Sequence, residues 1–382
     1  MYYVTVKCSP KEYSQLSFDD FFSGTTKTNR FQEEYKYTFD TRTSTYESIP
    51  QRLKDKIPKE YLISCLERFN LRCKELIDIH DKASLYHSFK IPKHSGGLRQ
   101  IDAPNDELKC ALSELKLLFE TKFFALYHTC AFAYVKHRNT IAAVQRHQYN
   151  NSRWFLKEDC KNFFGNTTLD FTMKQLAMIF PFCEVVKDIN GKKQLESALS
   201  LCFLNGGLPQ GTPISPMLTN LIMIPIDYTI AKYLREEKQH YVYTRYADDM
   251  DISSYESFEF KKIEQAIINI FKEFDAPFSL NQEKTHYGSS AGRNWLFGLM
   301  LNKDNKITIG HQKKKQFKVM LYSLLTDKSN WQVDDAQAFQ GIMAYYESVE
   351  KDYVKDIVST YEKKYGNGKT VKGILKDLIN CK

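Results

Sequence analysis

The sequence predicts an α+β chain, and three observations predict it. Apolar residues recur at helical spacing in several separate stretches. Short alternating runs flank turn signals and read as antiparallel strands. The 382 residues are 42% hydrophobic and 26% charged, enough apolar side chains for a large packed core. Disordered, collagenous and low-complexity scaffolds are excluded on that composition.

Residues 1–90 read as mostly helical and polar, with helical spacing around Leu62, Leu66 and Leu76. FKIPKHSGGLRQIDAP (89–104) reads as a hairpin about a Ser-Gly-Gly turn, ended by Pro104. Asn105 then caps a helix with Asp106 and Glu107 in its first turn. Leu108, Ala111, Leu112, Leu115 and Phe119 form its apolar stripe. RWFLKEDCKNFF (153–164) reads as a buried strand ending at Asp159, and 168–204 as helical, broken by a turn at DINGKK (188–193). LNGGLPQGTPISP (204–216) is a Gly/Pro-rich loop, followed by a helix with a late Pro225. HYVYTRYADDMDISSY (240–255) reads as two strands with Ala247, Asp248 and Asp249 at their turn. A helix at 256–274 follows. Beyond about Asn305, Phe317, Leu321 and Leu324, then Phe339, Ile342, Met343 and Tyr346, predict a small helical bundle with a lysine-rich edge.

Lys and Arg outnumber Asp and Glu by 54 to 46, a net charge of +8 that permits a polyanionic partner without demanding one. The nine cysteines include no CxxC pair, so neither a zinc site nor a disulfide framework is expected, and reduced thiols in a cytoplasm fit better. The first residues lack the apolar core of a secretory signal, and no apolar run is long enough to span a membrane.

The chemistry concentrates at YADD. An isolated Asp-Asp pair is usually a solvated turn. Here it follows one strand-like run and precedes another, and Asp159 ends a third. Three carboxylates from neighbouring strand ends repel one another and suit two divalent cations roughly 4 Å apart. Such a pair supports in-line phosphoryl transfer, with Mg²⁺ the natural ion for hard oxygen ligands and Mn²⁺ a substitute.

In order, FLKEDCKNFF, LPQGTPISPMLTNL, YADDM, NQEKT and LFGLML resemble the palm motifs of reverse transcriptases, and FKIPKHSGGLRQIDAPNDELK resembles the fingers motif of the bacterial members. The resemblance covers about residues 85–300. It implies a right-hand polymerase fold: a helical extension at 1–85, fingers at 86–152, a palm at 153–305 with a fingers insertion near 165–205, and a helical thumb at 306–382. It further implies that Asp159, Asp248 and Asp249 bind the two metal ions, joined by the backbone carbonyl of Cys160. Gln210, with Gly211 beside it, would line the dNTP and template pocket, Arg99 would grip the triphosphate and Lys93 assist. Gly211, lacking a Cβ, would let substrate approach the backbone. Lys284 would stand by the leaving pyrophosphate as general acid, Tyr246 beneath the primer end, and Phe164 as a steric gate against the ribose 2′-hydroxyl. Lys93 and Lys284 read equally as surface lysines, and Tyr246 and Phe164 as core aromatics. Lys157 and Glu158 depart from the more apolar strand of relatives, and Cys160 and Asn162 from their common residues.

The short chain lacks an RNase H pattern and is most similar to retron and defence-associated bacterial reverse transcriptases. Residues 131–148 do not match the retron NAxxH pattern, which points toward the defence-associated group. The resemblance implies a dedicated noncoding RNA template, a DNA product, dNTP substrates and antiphage defence, with a homo-oligomer or an accessory defence protein as further partners. Lys313–Lys315 with Lys318, and Lys136 with His137 and Arg138, are candidate phosphate contacts. Template-independent or protein-primed synthesis by the same site, an intron-derived mobile-element enzyme, and a non-enzymatic RNA-binding module are the alternatives.

Overall fold

The computed structural model describes residues 4–5, 36–37, 39–40, 45–46, 58–92, 97–123, 127–237, 239–292 and 295–380. Two short antiparallel ladders come first: β1 (Val4–Thr5) on β2 (Lys36–Tyr37), and β3 (Phe39–Asp40) on β4 (Thr45–Tyr46). The expected helical character of the N-terminal segment is seen from Lys59 onward. No helix among the described residues is long and apolar enough to cross a membrane.

The chain divides into two compact units. The first holds the residues up to Asn139, Leu156–Ile252 and Phe258–Tyr287. Within it, α1 (Lys59–Arg72) and α2 (Lys74–Asp78) precede the hairpin of β5 (Tyr86–Pro92) and β6 (Leu98–Pro104). The hairpin pairs antiparallel from Tyr86↔Pro104 to Pro92↔Leu98, as its sequence predicts. Helix α3 (Asp106–Leu118) buries Leu108, Ala111, Leu112 and Leu115. Asn105 caps it, its Oδ1 accepting from the Leu108 N–H at 2.8 Å. Chain order then brings α4 (Thr140–Tyr149), β7 (Trp154–Asp159), α5 (Phe163–Asn166), α6 (Leu169–Leu176), α7 (Phe182–Lys187) and α8 (Ile189–Ser200).

The DINGKK segment is not the expected turn. Asp188 caps α8 by accepting from the Gly191 N–H at 3.0 Å, so Asn190 and Gly191 lie inside the helix. Gly191 is required by packing rather than by a bend. A Cβ there would stand 2.4 Å from the Val185 carbonyl oxygen and 3.0 Å from Ile63 Cδ1.

Helix α9 (Ser215–Glu236) is buried along most of its length and carries Pro225 in its interior. It leads to the hairpin of β8 (Val242–Tyr246) and β9 (Asp249–Ser254), then to the amphipathic α10 (Phe260–Glu273). Strand β10 (His286–Ser289) completes a four-stranded sheet in the order β10-β7-β9-β8.

The second unit holds Thr140–Phe155, Ser253–Ser257 and Gly288–Lys382. Strands β11 (Trp295–Leu296), β12 (Leu299–Leu301) and β13 (Ile307–Thr308) form an antiparallel sheet. The expected helical bundle follows as α11 (His311–Thr326), α12 (Val333–Val349), α13 (Lys351–Tyr365) and α14 (Val371–Asn380). Phe317, Leu321, Leu324, Phe339, Met343 and Tyr346 all enter its core, with Phe317 stacked on Phe339 at 5.5 Å.

The second unit also buries His147 of α4. Its Nδ1 lies 2.6 Å from the Ser253 hydroxyl, which donates to Ser152 Oγ at 2.7 Å. Burial, then the Arg146 charge, push the imidazole down to about 3. The unfolded chain therefore binds a proton that the native chain refuses between about pH 6.5 and that value. The stabilisation is complete above about pH 6.5 and declines on acidification by about 1.4 kcal/mol per pH unit. Replacement His147→Gln should flatten this limb: from about pH 7 to about pH 5 the thermal midpoint should fall less in the variant than in the wild type. Parallel melting curves would show that His147 does not drive the acid sensitivity.

Candidate active site

The β8–β9 turn is shaped from below. Ala247 is left-handed at φ 57°, an unusual conformation for a residue with a Cβ. Its carbonyl oxygen accepts from Arg245 Nη1 at 3.0 Å. The same guanidinium donates to Asp227 of α9 through Nε at 2.9 Å and Nη2 at 2.8 Å, and to Asn220 Oδ1 at 3.1 Å. Both charges are fully buried. Burial opposes the charge of Arg245, but Asp227 outweighs it and holds the guanidinium above its ordinary value. The Tyr243 hydroxyl adds a 2.9 Å bond to Asp227.

Above this anchor the structure brings Asp159, Asp248 and Asp249 together. Asp159 ends β7, and the Cys160 N–H donates to the Asp248 carbonyl oxygen at 3.3 Å. Burial raises the Asp248 carboxyl above its ordinary value, reinforced by Asp249 and Asp159. Two lysines answer this crowding. Lys284 Nζ binds both Asp159 oxygens at 2.9 and 3.0 Å, and Lys157 Nζ stands 3.2 Å from Asp249. Lys157 is opposed by burial, yet Asp251 and Asp249 hold its ammonium group above the usual range. Asp251, two positions along β9 from Asp249, is fully buried with neither carboxyl oxygen hydrogen-bonded. Burial pushes it up to about 8.

Glu158, on the opposite face of β7 from its neighbours, is buried and pushed up to about 7 by desolvation. Thr285 donates to its Oε2 at 2.6 Å. Strand β7 thus carries a buried, hydrogen-bonded carboxyl at Glu158 and, at Lys157, a lysine serving the acidic cluster.

A cleft of about 960 Å³ opens beside the carboxylates, and Arg99, Phe164, Gln210, Asn281 and Lys284 share its lining with Asp159, Cys160 and Asp248. Phe164 is half-buried, in edge contact with Phe163 at 6.0 Å. Cys160 is buried, which pushes its thiol well up, so only its backbone is available to the cleft. Tyr246 is half-buried at the end of β8. Lys93 lies outside the described residues.

Gly211 plays a different part from the one expected. Its φ is +123°, and a Cβ would stand 2.9 Å from Ile101 Cγ2 and 3.0 Å from the Asp102 carbonyl oxygen. Strand β6 approaches its backbone. The Asp102 N–H donates to the Gln210 carbonyl oxygen at 2.7 Å, docking the LPQG loop on the hairpin that carries Arg99.

Two basic groups are engaged in holding the fold. Arg138 donates to the carbonyl oxygens of His128 and Ala131, at 2.8 and 2.6 Å. In the second unit Lys313 donates to the Gly298 carbonyl oxygen at 2.6 Å, and Lys314 pairs with Glu350 at 2.5 Å. Lys136, Lys315 and Lys318 remain exposed. Gly298 turns a hairpin, at φ 82° between β11 and β12.

Two residues of the site escaped the sequence reading. Tyr134 is 54% exposed, left-handed at φ 58°, and its hydroxyl feels burial first and then Asp248, Tyr246 and Arg99. Asn281 Nδ2 lies 3.5 Å from Asp159 Oδ1, and its Oδ1 is buried without a partner. Asn281 stands in NQEKT, so its motif was visible although its role was not.

The donor set fits a hard divalent cation. Its groups are carboxylates, all three buried or half-buried, and burial together with their mutual repulsion raises Asp248. Among the described residues no three His, Cys, Asp or Glu side chains converge as one ligand set; two of the carboxylates are paired with Lys157 and Lys284.

Comparison with known proteins gives consistent matches. A family described as "Reverse transcriptase (RNA-dependent DNA polymerase)" matches residues 91–323. The retron Ec83 reverse transcriptase of Escherichia coli is 28% identical over 307 residues, covering 77% of this chain and 91% of that protein. The retron Ec73 reverse transcriptase of Escherichia coli is 26% identical over 277 residues, 71% of this chain and 85% of that protein. Among solved structures, apo telomerase from Candida tropicalis is similar with a TM-score of 0.44 and 13% identity, over 78% of this chain and 64% of that one.

The docking of loop on hairpin is testable through Gly211→Ala. Strain at a glycine-type φ costs about 1–3 kcal/mol. The added methyl should part the loop from β6, lowering the thermal midpoint and raising KM for nucleotide more than it lowers kcat. A variant with wild-type midpoint and KM would remove the close approach as the reason for glycine.

Proposed function

The chain belongs to the reverse transcriptase family, so it is an RNA-directed DNA polymerase, and from that premise we propose that it copies a dedicated noncoding RNA into DNA for antiphage defence in a bacterial cytoplasm. The observation that carries the reading is the meeting of Asp159, Asp248 and Asp249 at strand ends beside a cleft lined by Arg99, Phe164 and Gln210. Reverse transcriptases depend on divalent metal, and here the proposed ions are two Mg²⁺, with Mn²⁺ a substitute.

The three aspartates and the Cys160 carbonyl would hold these ions, which when bound acidify the primer 3′-hydroxyl and neutralise the leaving pyrophosphate. The protein's own part is positioning and charge. Arg99 faces the cleft from a rigid two-stranded ladder and offers a planar fork to triphosphate oxygens. Lys284, paired with Asp159 in the structure, lines the same cleft and would stand by the leaving pyrophosphate as the group that gives it a proton. Phe164 lines the same cleft, and as a steric gate it would exclude a ribose 2′-hydroxyl and favour dNTPs.

The decisive experiment is purification from native cells and sequencing of bound nucleic acid, wild type against Asp248→Ala/Asp249→Ala. One abundant RNA with complementary DNA, the DNA lost in the variant, is the expected result. DNA that persists in the variant, or DNA with no complementary RNA, would overturn templated synthesis by this site. In a purified primer-extension assay, Phe164→Ala should shift selectivity toward ribonucleotides by about 10- to 200-fold, the scale of a lost apolar contact. Unchanged selectivity would assign Phe164 to the core alone.

A further inference from the structure

A second pocket lies in the second unit, and none of its lining residues lines the cleft described above. It measures about 380 Å³, and Asn151, Arg153, Tyr255, Asn302, Lys303 and Asn305 lie in its wall. We propose that it holds a nucleotide of single-stranded RNA, the base on Tyr255 and the phosphate on Arg153 and Lys303. The proposal rests on the reading of this chain as an RNA-directed polymerase, because it assigns a place where RNA is gripped outside the catalytic cleft.

The wall has the parts such a ligand needs. The Arg153 guanidinium lies 4.6 Å from the centre of the Tyr255 ring, and that ring is still 48% exposed. Stacked aromatic and guanidinium planes are the usual platform for an unpaired base. The platform is fixed: the Arg153 N–H donates to the Ser254 carbonyl oxygen at 2.9 Å, and its own carbonyl oxygen accepts from Ser290 at 2.7 Å. The lining includes the cations of Arg153 and Lys303 and no carboxylate, so the local field favours an anion.

The opposite wall is a pre-shaped turn of carboxamides. Asn302 Oδ1 accepts from the Asp304 and Lys306 N–H groups at 3.0 and 2.8 Å. Asn305 Nδ2 donates to the Gln148 carbonyl oxygen at 2.9 Å and to Asn151 Oδ1 at 2.7 Å. These bonds fix the amide orientation and leave Asn305 Oδ1 without a donor. A ribose 2′-hydroxyl is such a donor and is the group that separates RNA from DNA. The pocket's size suits one nucleotide unit rather than a duplex.

The test uses the full chain with its cleft saturated by a primer–template duplex. A single-stranded RNA about twelve nucleotides long, carrying one 4-thiouridine, is photo-cross-linked and the modified peptide sequenced. Its affinity, and that of DNA of the same sequence, is measured by anisotropy for wild type, Arg153→Ala, Tyr255→Leu and Lys303→Glu. The expected result is a cross-link at Tyr255, RNA binding weakened roughly tenfold in Arg153→Ala and Tyr255→Leu, and primer extension unchanged. Lys303→Glu, at an exposed turn, keeps the test valid if either of the others fails to fold. Unchanged RNA affinity, or cross-links confined to the first unit, would overturn the pocket. Equal loss of DNA affinity would overturn its preference for RNA. Absence of primer extension by the wild type would instead overturn the polymerase reading and leave a Tyr255 cross-link standing.

Discussion

The Asp227–Arg245 ion pair is the constraint on which the catalytic turn depends. Two full charges lie in a region without solvent, where removing either partner typically costs several kcal/mol. Buried pairs of this kind seldom add net stability over an apolar pair. What this one gives is direction. One guanidinium ties α9 through Asp227 and Asn220 to the carbonyl of Ala247, and the Arg245 backbone is bonded to the segment before it, from Arg245 N–H to Cys130 and from Phe132 N–H to Arg245. Asn220 in turn donates to the Ala133 carbonyl oxygen at 2.6 Å. The left-handed turn that presents Asp248 is therefore held from three sides. A turn free to relax would let the crowded carboxylates separate.

Crowding is the second constraint, and it explains the polar residues of β7. Carboxylates brought this close are stable only if positive charge is nearby. Lys157 and Lys284 supply it from within the chain, one on Asp249 and one on Asp159. Among the described residues no lysine pairs with Asp248, whose carboxyl is raised by burial and then by Asp249 and Asp159. The lysines thus offset part of the crowded negative charge from within the chain, and a divalent cation at the three aspartates would supply the rest.

Much of this was legible in the sequence, and the reasons are local. The β5–β6 hairpin, the Asn105 cap, the α3 stripe and the YADD turn follow from short-range turn chemistry and periodicity, and each formed as read. The motif order brought Asp159, Arg99, Phe164, Gln210 and Lys284 to one cleft as expected. What sequence could not show were partners distant along the chain. Gly191 looked like a turn residue because Asp-x-x-Gly is also a cap, and only α1 packing against it decides between them. Gly211 looked like a substrate contact because nothing local reveals that β6 lies against it. Arg138 and Lys314 looked like phosphate ligands because charge is visible in sequence and an internal acceptor is not.

The docking of Gln210 on Asp102 has a consequence for nucleotide choice. Arg99 reaches the cleft from β6, and Gln210 reaches it from the loop bonded to that strand three residues further on. On the roles proposed above, the triphosphate held by the first and the base pair tested by the second would be sensed by one connected piece. The close contact at Gly211 leaves no space between loop and strand for a side chain. A nucleotide whose base fits poorly would then also misplace its triphosphate, because shifting one contact shifts the other. Phe164, on α5, lines the same cleft, and the LPQG loop is bonded to it too: the Leu208 N–H donates to the Phe164 carbonyl oxygen at 3.0 Å, and Gly207 packs against the Gly165 backbone. The residues proposed to select sugar, base and triphosphate therefore share one connected support, so a change at any one of them is transmitted to the others.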